Sequence, residues 1–279
     1  MIGGAFAARG ASFELANTEG PGHAETLARE AAALGYRAVC VVGGDGTLAE
    51  VATGLSGLAT PLAIIPRGTA NQVAQNLRIP IDLEDAVDVA VHGVTTALDL
   101  GRVNGRSFAL LAGAGFDAAM MASATREMKE RWGFGAYIIA AVKEALAATP
   151  RHFALKADDR TLEVQAVSVM VANVGELFSG FIPFRIPLTP SPTQLSWQDG
   201  LLEIVVLAPR NPPELAMLVW RAAHRKFAGD DKLIHFQARE ISIEADPPIA
   251  VQIDGDPAGT TPVTAVAIPA ALRVLVPRN

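Results

Sequence analysis

Gly43-Gly44-Asp45-Gly46-Thr47 brings together residue types that handle phosphate. It follows the apolar run Ala38-Val39-Cys40-Val41-Val42 and precedes a helical pattern that starts at Leu48. Glycines let backbone N–H groups approach phosphate oxygens, and a helix N-terminus favours negative charge there. A carboxylate in that turn would repel phosphate unless a cation such as Mg²⁺ stood between them. The chemistry indicated is phosphoryl transfer. Pro66-Arg67-Gly68-Thr69-Ala70-Asn71 is a second strand-to-helix turn, offering a cation, a hydroxyl and another helix N-terminus. Gly113-Ala114-Gly115-Phe116-Asp117-Ala118 closes a strand with two glycines and opens a helix. Asp254-Gly255-Asp256 sets two carboxylates in one turn, where one could take a proton from a hydroxyl. Asp-Gly also favours a plain hairpin.

These residues need elements to hold them. Up to about His92 the pattern alternates strand and helix. Strands are expected at 12–16, 39–42 and 61–66, and helices at 23–34, 48–58, 70–77 and 83–91. That is the βαβ pattern of a parallel sheet covered by helices. Beyond it, strand-like runs dominate, at 96–103, 106–112, 152–157, 163–172, 201–207, 240–245, 250–253 and 272–276. Two helices interrupt them, at 118–148 with a break near Gly133, and at 213–227. The fold class expected is an α/β N-terminal domain, residues 1–94, and an antiparallel β-rich domain, residues 95–279.

The 279 residues are 50% hydrophobic and 19% charged, which is enough to fill a sizeable core. The net charge of -6 argues against nucleic acid as a partner and against constant attachment to anionic membranes. Cys40 is the single cysteine, so no disulfide forms within the chain, as suits a reducing compartment. The first residues lack a secretory pattern. The most membrane-like stretch, 133–148, contains Lys143 and Glu144 and is too short to span a bilayer. The histidines show no metal-like spacing.

The four motifs, taken in order, resemble the diacylglycerol-kinase-like lipid kinases, which include bacterial diacylglycerol kinases and the related sphingosine and ceramide kinases. Gly133, Ala136 and Tyr137, and Asp199-Gly200-Leu201-Leu202, also match residues of that family. The resemblance covers nearly the whole chain. It implies a nucleotide domain of the NAD-kinase and phosphofructokinase type, a C-terminal β-sandwich, and an active site in the interdomain cleft. It implies ATP and Mg²⁺ as cofactors. ATP would lie across Gly43, Gly44, Asp45, Gly46, Thr47 and Glu50, with Gly68, Thr69, Asn71 and Thr18 as further contacts. For Asn71, helix capping is the alternative. Asp45 would hold the catalytic Mg²⁺. Asp254 or Asp256 would be the base, the family having Glu at the third position. Asp199, with the carbonyls of Ser196 and Leu201, would form a second, structural Mg²⁺ site, against the plain reading as an Asp-Gly turn. Trp132 with Arg126, Lys129 and Arg131 could touch lipid head groups, though a solvated helix face is the commoner meaning of such a run.

The chain also departs from the family. Residues 2–10 resemble the tail of the family's first helix, so its first strand, which ends in Asn-Pro, is expected to be missing. Residues 12–16 would then be the family's second strand. Ala49 stands where the family has Asn. The function expected is ATP-dependent phosphorylation of a hydroxyl on a diacylglycerol-like or sphingoid lipid. The alternatives are an impaired nucleotide- or lipid-binding protein of the same fold and an NAD kinase. The lipid would be reached by transient membrane contact from the cytoplasm. The oligomeric state stays open, a homodimer included.

Overall fold

The computed structural model describes residues 2–116, 118–119, 144, 147–173, 176–178, 185–187, 197–223 and 232–278. The helix expected at 118–148, Trp132 with its neighbouring cations, the Gly133/Ala136/Tyr137 match and Ser196 lie wholly or almost wholly outside them. In chain order the first elements are α1 (Ile2–Ala8), α2 (His23–Ala33), β1 (Val39–Gly43), α3 (Asp45–Leu55), β2 (Leu62–Pro66), α4 (Gln72–Asn76) and α5 (Leu83–His92). There follow β3 (Val94–Val103), β4 (Arg106–Phe108), β5 (Leu111–Gly115), β6 (Arg151–Ala157), β7 (Arg160–Ala166) and β8 (Ser168–Ala172). Then come β9 (Glu176–Phe178), β10 (Arg185–Pro187), β11 (Leu202–Leu207), a helix at Pro212–Ala223, β12 (Leu233–Ala238), β13 (Glu240–Asp246), β14 (Ala250–Ile253), β15 (Asp256–Thr260) and β16 (Val263–Val276).

The chain packs as two units. The first is Met1–Leu100 with Pro269–Asn279, and the second is Gly101–Ile268. In the first, β1 and β2 run parallel, pairing Val39 with Leu62 through Gly43 with Pro66. The end of β16 joins β2 in parallel, Val274 beside Leu62. Every residue of β2 is buried, as a strand covered on both faces requires. Leu48, Val51, Ala52 and Leu55 of α3 are buried, and Ala86 and Val87 of α5 cluster with Ala5 and Ile65.

Two expectations change here. Residues 12–16 form no strand, and Phe13 and Leu15 are exposed (47% and 72%). A strand exists only with a ladder partner, and β1 pairs with β2 alone among the described strands. The helix expected from residue 48 instead starts at Asp45, because Gly44 is the extended N-cap residue and its carbonyl accepts the Leu48 N–H at 3.1 Å. Low intrinsic helix propensity hides such a start. The first turn has little to lose, since its N–H groups have no intrahelical partner in any case.

The second unit contains a six-stranded antiparallel sheet, in order β12-β11-β8-β5-β14-β15. A second antiparallel group pairs β13 with both the start of β16 and β6, and β6 with β7. Phe153, Leu155, Val169, Val171, Leu202, Ile204, Ile241, Ile243 and Ile253 form one core with Phe108. The single strand expected at 163–172 is two strands in different sheets. The core-facing residues run Leu162, Val164, Ala166 and then Val169, Val171, so the period slips by one at Val167. There the Val167 N–H donates to Leu207 O (2.8 Å) and its carbonyl accepts from the Phe116 N–H (2.9 Å). The run expected at 106–112 is likewise divided between β4 and β5.

No described helix is long and apolar enough to cross a membrane. Burial in unit 1 pushes the Cys40 thiol up to about 12, and only the thiolate is nucleophilic. Iodoacetamide at neutral pH should therefore leave Cys40 unmodified in the native protein and label it after denaturation, as mass spectrometry would report.

Candidate active site

Two backbone turns meet at the C-terminal ends of β1 and β2. The Arg67 N–H donates to Gly43 O at 2.8 Å. Gly44 and Gly68 lie so close that a Cβ built on Gly68 would stand 2.4 Å from Gly44 Cα, and one on Gly44 would stand 3.0 Å from Gly68 Cα. Neither turn accepts a side chain there without moving the other. Gly46 is different, because a Cβ on it would meet nothing within 4 Å.

Asp45 bridges the two turns. Its carboxylate accepts the N–H groups of Gln72 (3.0 Å) and Val73 (3.2 Å), capping α4 from outside. Loss of solvent raises its pKa above the usual aspartate value, while these N–H donors pull it back down. The Asn71 amide turns back on Gly68, accepting its N–H at 2.8 Å and donating to its carbonyl at 2.8 Å. Asn71 is left-handed (φ 48°) and stands at the N-cap position, yet its side chain does not cap α4. Its function here is to close the 68–71 turn. Gly43 and Thr47 are in contact range of one another, the Thr47 hydroxyl lying 3.2 Å from where a Gly43 Cβ would be. Thr69 is in the same closed turn, and Thr18 is exposed in the irregular stretch before α2.

Glu50 has a task that its spacing does not reveal. Its carboxylate accepts the N–H groups of Gly22 (2.9 Å) and Ala24 (3.1 Å), capping α2. Oxygen donors suit Mg²⁺, which takes one or two carboxylates and completes its shell with water and phosphate oxygens. Asp45 fits that donor type as a single ligand. Among the described residues no group of three or more His, Cys, Asp or Glu could hold a metal.

In the second unit, Asp254 and Gly255 form the two-residue turn between β14 and β15, with φ of 47° and 93° and Ile253 paired to Asp256. Both are left-handed, as a hairpin turn of this length prefers. The Asp254 carboxylate accepts three N–H groups, from Ala109 (2.9 Å), Leu110 (3.0 Å) and Leu111 (2.9 Å). Asp256 is exposed, with Arg106 Nη2 at 3.8 Å. Arg106, which motif reading missed, also donates to Pro257 O at 3.2 Å. Its signal is the Asn104-Gly105 turn immediately before it, both residues left-handed. Asp199 Oδ1 accepts the Leu201 N–H at 3.0 Å, the geometry of an Asp-Gly turn. Gly113 and Gly115 lie in β5, and Asp117 is outside the described residues.

Residues 2–103 match the diacylglycerol kinase catalytic domain, and residues 111–276 match the YegS C-terminal NAD kinase beta sandwich-like domain. The diacylglycerol kinase of Mycobacterium tuberculosis (strain ATCC 25618 / H37Rv) is 34% identical over 267 residues, covering 92% of this chain and 82% of that protein. The chain belongs to the diacylglycerol kinase family. The diacylglycerol kinase of Bacillus subtilis (strain 168) is 26% identical over 277 residues, covering 96% of this chain and 89% of that one. An uncharacterized Synechocystis protein is 31% identical over 239 residues, and there this chain spans about half of the relative (54%). A crystal structure of a diacylglycerol kinase from Bacillus anthracis str. Sterne shares the fold, with a TM-score of 0.76 at 24% identity, covering 97% of this chain and 88% of that one. Family membership thus joins an α/β N-terminal domain to a β-sandwich.

Removing the acceptor of three N–H groups should weaken the second unit. Asp254→Ala is expected to lose on the order of 2 kcal/mol in urea unfolding, whereas Asp256→Ala should stay within about 0.5 kcal/mol of the parent. Asp45 supplies a pH test. Its folded pKa is raised, so the folded state binds its proton more readily than the unfolded state does. The stability that depends on this group therefore falls as pH rises through the carboxylate range. Asp45→Asn should remove that downward component from the pH profile of urea midpoints.

Proposed function

We propose that this protein is an ATP-dependent lipid kinase that phosphorylates a hydroxyl of a diacylglycerol-like or sphingoid lipid. One observation carries the nucleotide half of that reading. Three helix N-termini gather around α3, and side-chain carboxylates cap two of them. Glu50 caps α2 and Asp45 caps α4, while the N-cap residue of α3, Gly44, has no side chain with which to cap it. The N–H groups of a glycine-lined helix start have no intrahelical partner and favour phosphate oxygens. The open space at Gly46 leaves room for a close approach.

Residues 43–47, with Thr69 and Thr18, then hold ATP. Mg²⁺, when bound, neutralises charge between phosphate oxygens, and Asp45 is the residue that would hold it. The acceptor hydroxyl oxygen attacks the γ-phosphorus. The new P–O bond forms as the bond to the β-phosphate oxygen breaks, and ADP leaves with that electron pair. The hydroxyl proton passes to a carboxylate at the 254–256 turn. In such transfers, positioning and charge contribute more than the base does. Asp254 is held in one orientation by its three donors, and Asp256 is the exposed carboxylate of the pair. Such a lipid lies in a membrane, so the enzyme meets it by transient surface contact.

The test is transfer of label from γ-labelled ATP to a panel of short-chain diacylglycerols, sphingosine and ceramide. The parent should label at least one class. Gly46→Ala should lower kcat/KM by about tenfold or more with an unchanged melting temperature, because only a ligand would meet the added methyl group. Asp45→Asn should lower it by about a hundredfold. Labelling of no lipid would sink the proposal. ATP binding without transfer would favour a non-catalytic binding protein instead.

A further inference from the structure

Glu50 is five residues beyond Asp45 on α3, yet it serves another element. Both of its oxygens are bound to N–H groups at the start of α2, where Gly22 is left-handed (φ 80°). The α2 N-cap residue provides no side-chain cap of its own. The segment leading into that cap is Thr18-Glu19-Gly20-Pro21-Gly22, with the Glu19 N–H donating to His23 Nδ1 at 3.0 Å. It is exposed along its length. Five residues of helix span about 7.5 Å, so Glu50 pins this segment close to the N-terminus of α3. We infer that Glu50 is a positioning residue of the nucleotide site. It holds residues 18–22 beside the α3 N-terminus, so that Thr18 and the neighbouring backbone N–H groups meet the nucleotide.

This assignment differs from direct contact, because it places both Glu50 oxygens on the N–H groups that start α2. It also differs from a purely structural role. The bodies of α2 and α3 are docked independently of Glu50. A Cβ on Gly54 would stand 2.5 Å from Glu25 O and 3.1 Å from Ala28 Cβ, so the two helices are in backbone contact a turn beyond Glu50. Ala24 and Ala28 are buried in that interface. Loss of Glu50 therefore frees the entry to α2 and leaves its body in place.

The inference rests on the nucleotide reading above, and the test separates the two. The probe is a fluorescent ATP analogue (mant-ATP) with Mg²⁺, titrated into the full chain. Parent and variants are melted in parallel. Glu50→Ala should raise the Kd about tenfold, as expected for losing two charge-assisted hydrogen bonds that order a contact segment. Glu50→Gln keeps one acceptor and should fall between the two. Thr18→Ala should weaken binding in the parent and have little further effect in the Glu50→Ala background, because both act through one segment. An unchanged Kd in Glu50→Ala, a silent Thr18→Ala, or full additivity of the two overturns the inference. If Glu50→Ala does not fold, the Glu50→Gln cycle with Thr18→Ala decides in the same way. A parent that binds no mant-ATP overturns the nucleotide reading, and this inference falls with it.

Discussion

The approach of Gly44 to Gly68 is the constraint on which the candidate nucleotide site depends. Two turns from successive parallel strands touch at Cα distance, and no side chain fits between them. The hydrogen bond from the Arg67 N–H to Gly43 O and the two hydrogen bonds between the Asn71 amide and the Gly68 backbone fix the contact. Asp45 then ties the first turn to the helix that follows the second. The result is a preorganised backbone surface whose N–H groups keep their positions before any ligand arrives. Preorganisation is what makes such donors effective toward phosphate, since little is left to reorganise when charge develops.

The carboxylates follow a common rule. Asp45, Glu50 and Asp254 each accept two or three backbone N–H groups from a segment distant in sequence. A carboxylate at a helix start or a turn is stabilised by those donors and in return satisfies groups that would otherwise lack partners. Acidic residues to which the motifs assign nucleotide, metal and proton chemistry thus hold the loops in place. In the proposed reading the two tasks of Asp45 share one group. Desolvation raises its pKa while the donors lower it, and the ionised form is the one that both the cap and a cation would use.

The second unit shows how a β-sandwich reuses a continuous apolar run. One stretch of sequence leaves one sheet at Ala166 and enters the other at Ser168. The slip at Val167 reverses which residues face the core, so both strands bury their apolar set. The Asp254 turn is fastened to the start of β5 by side chain and backbone together, since the Asp254 N–H also donates to Leu111 O. Among the described residues of this unit, Glu203 is a buried acid. It is satisfied by His235 and by Gln237, whose amide donates at 2.6 Å. Its neighbours are on the adjacent strand, so it is a polar pairing within the sheet.

The sequence alone determined what depends on neighbours along the chain. The glycine turn after β1, the proline-bounded β2, the amphipathic α2 and α5, and the alternating strands of the second unit all follow from local period and turn chemistry. So did the order of the four motifs that resemble the lipid kinases. Tertiary structure alone decided which groups those residues meet. The donors to Asp45 are 27 and 28 positions away, those to Glu50 are 26 and 28, and those to Asp254 are 143 to 145. Residues 12–16 have the composition of a strand but no ladder beside them. The closing strand β16 begins in one unit and ends in the other. The physical reason is the same throughout. Periodicity and propensity act over a few residues, whereas a hydrogen-bond partner or a packing neighbour is set by how distant segments come together.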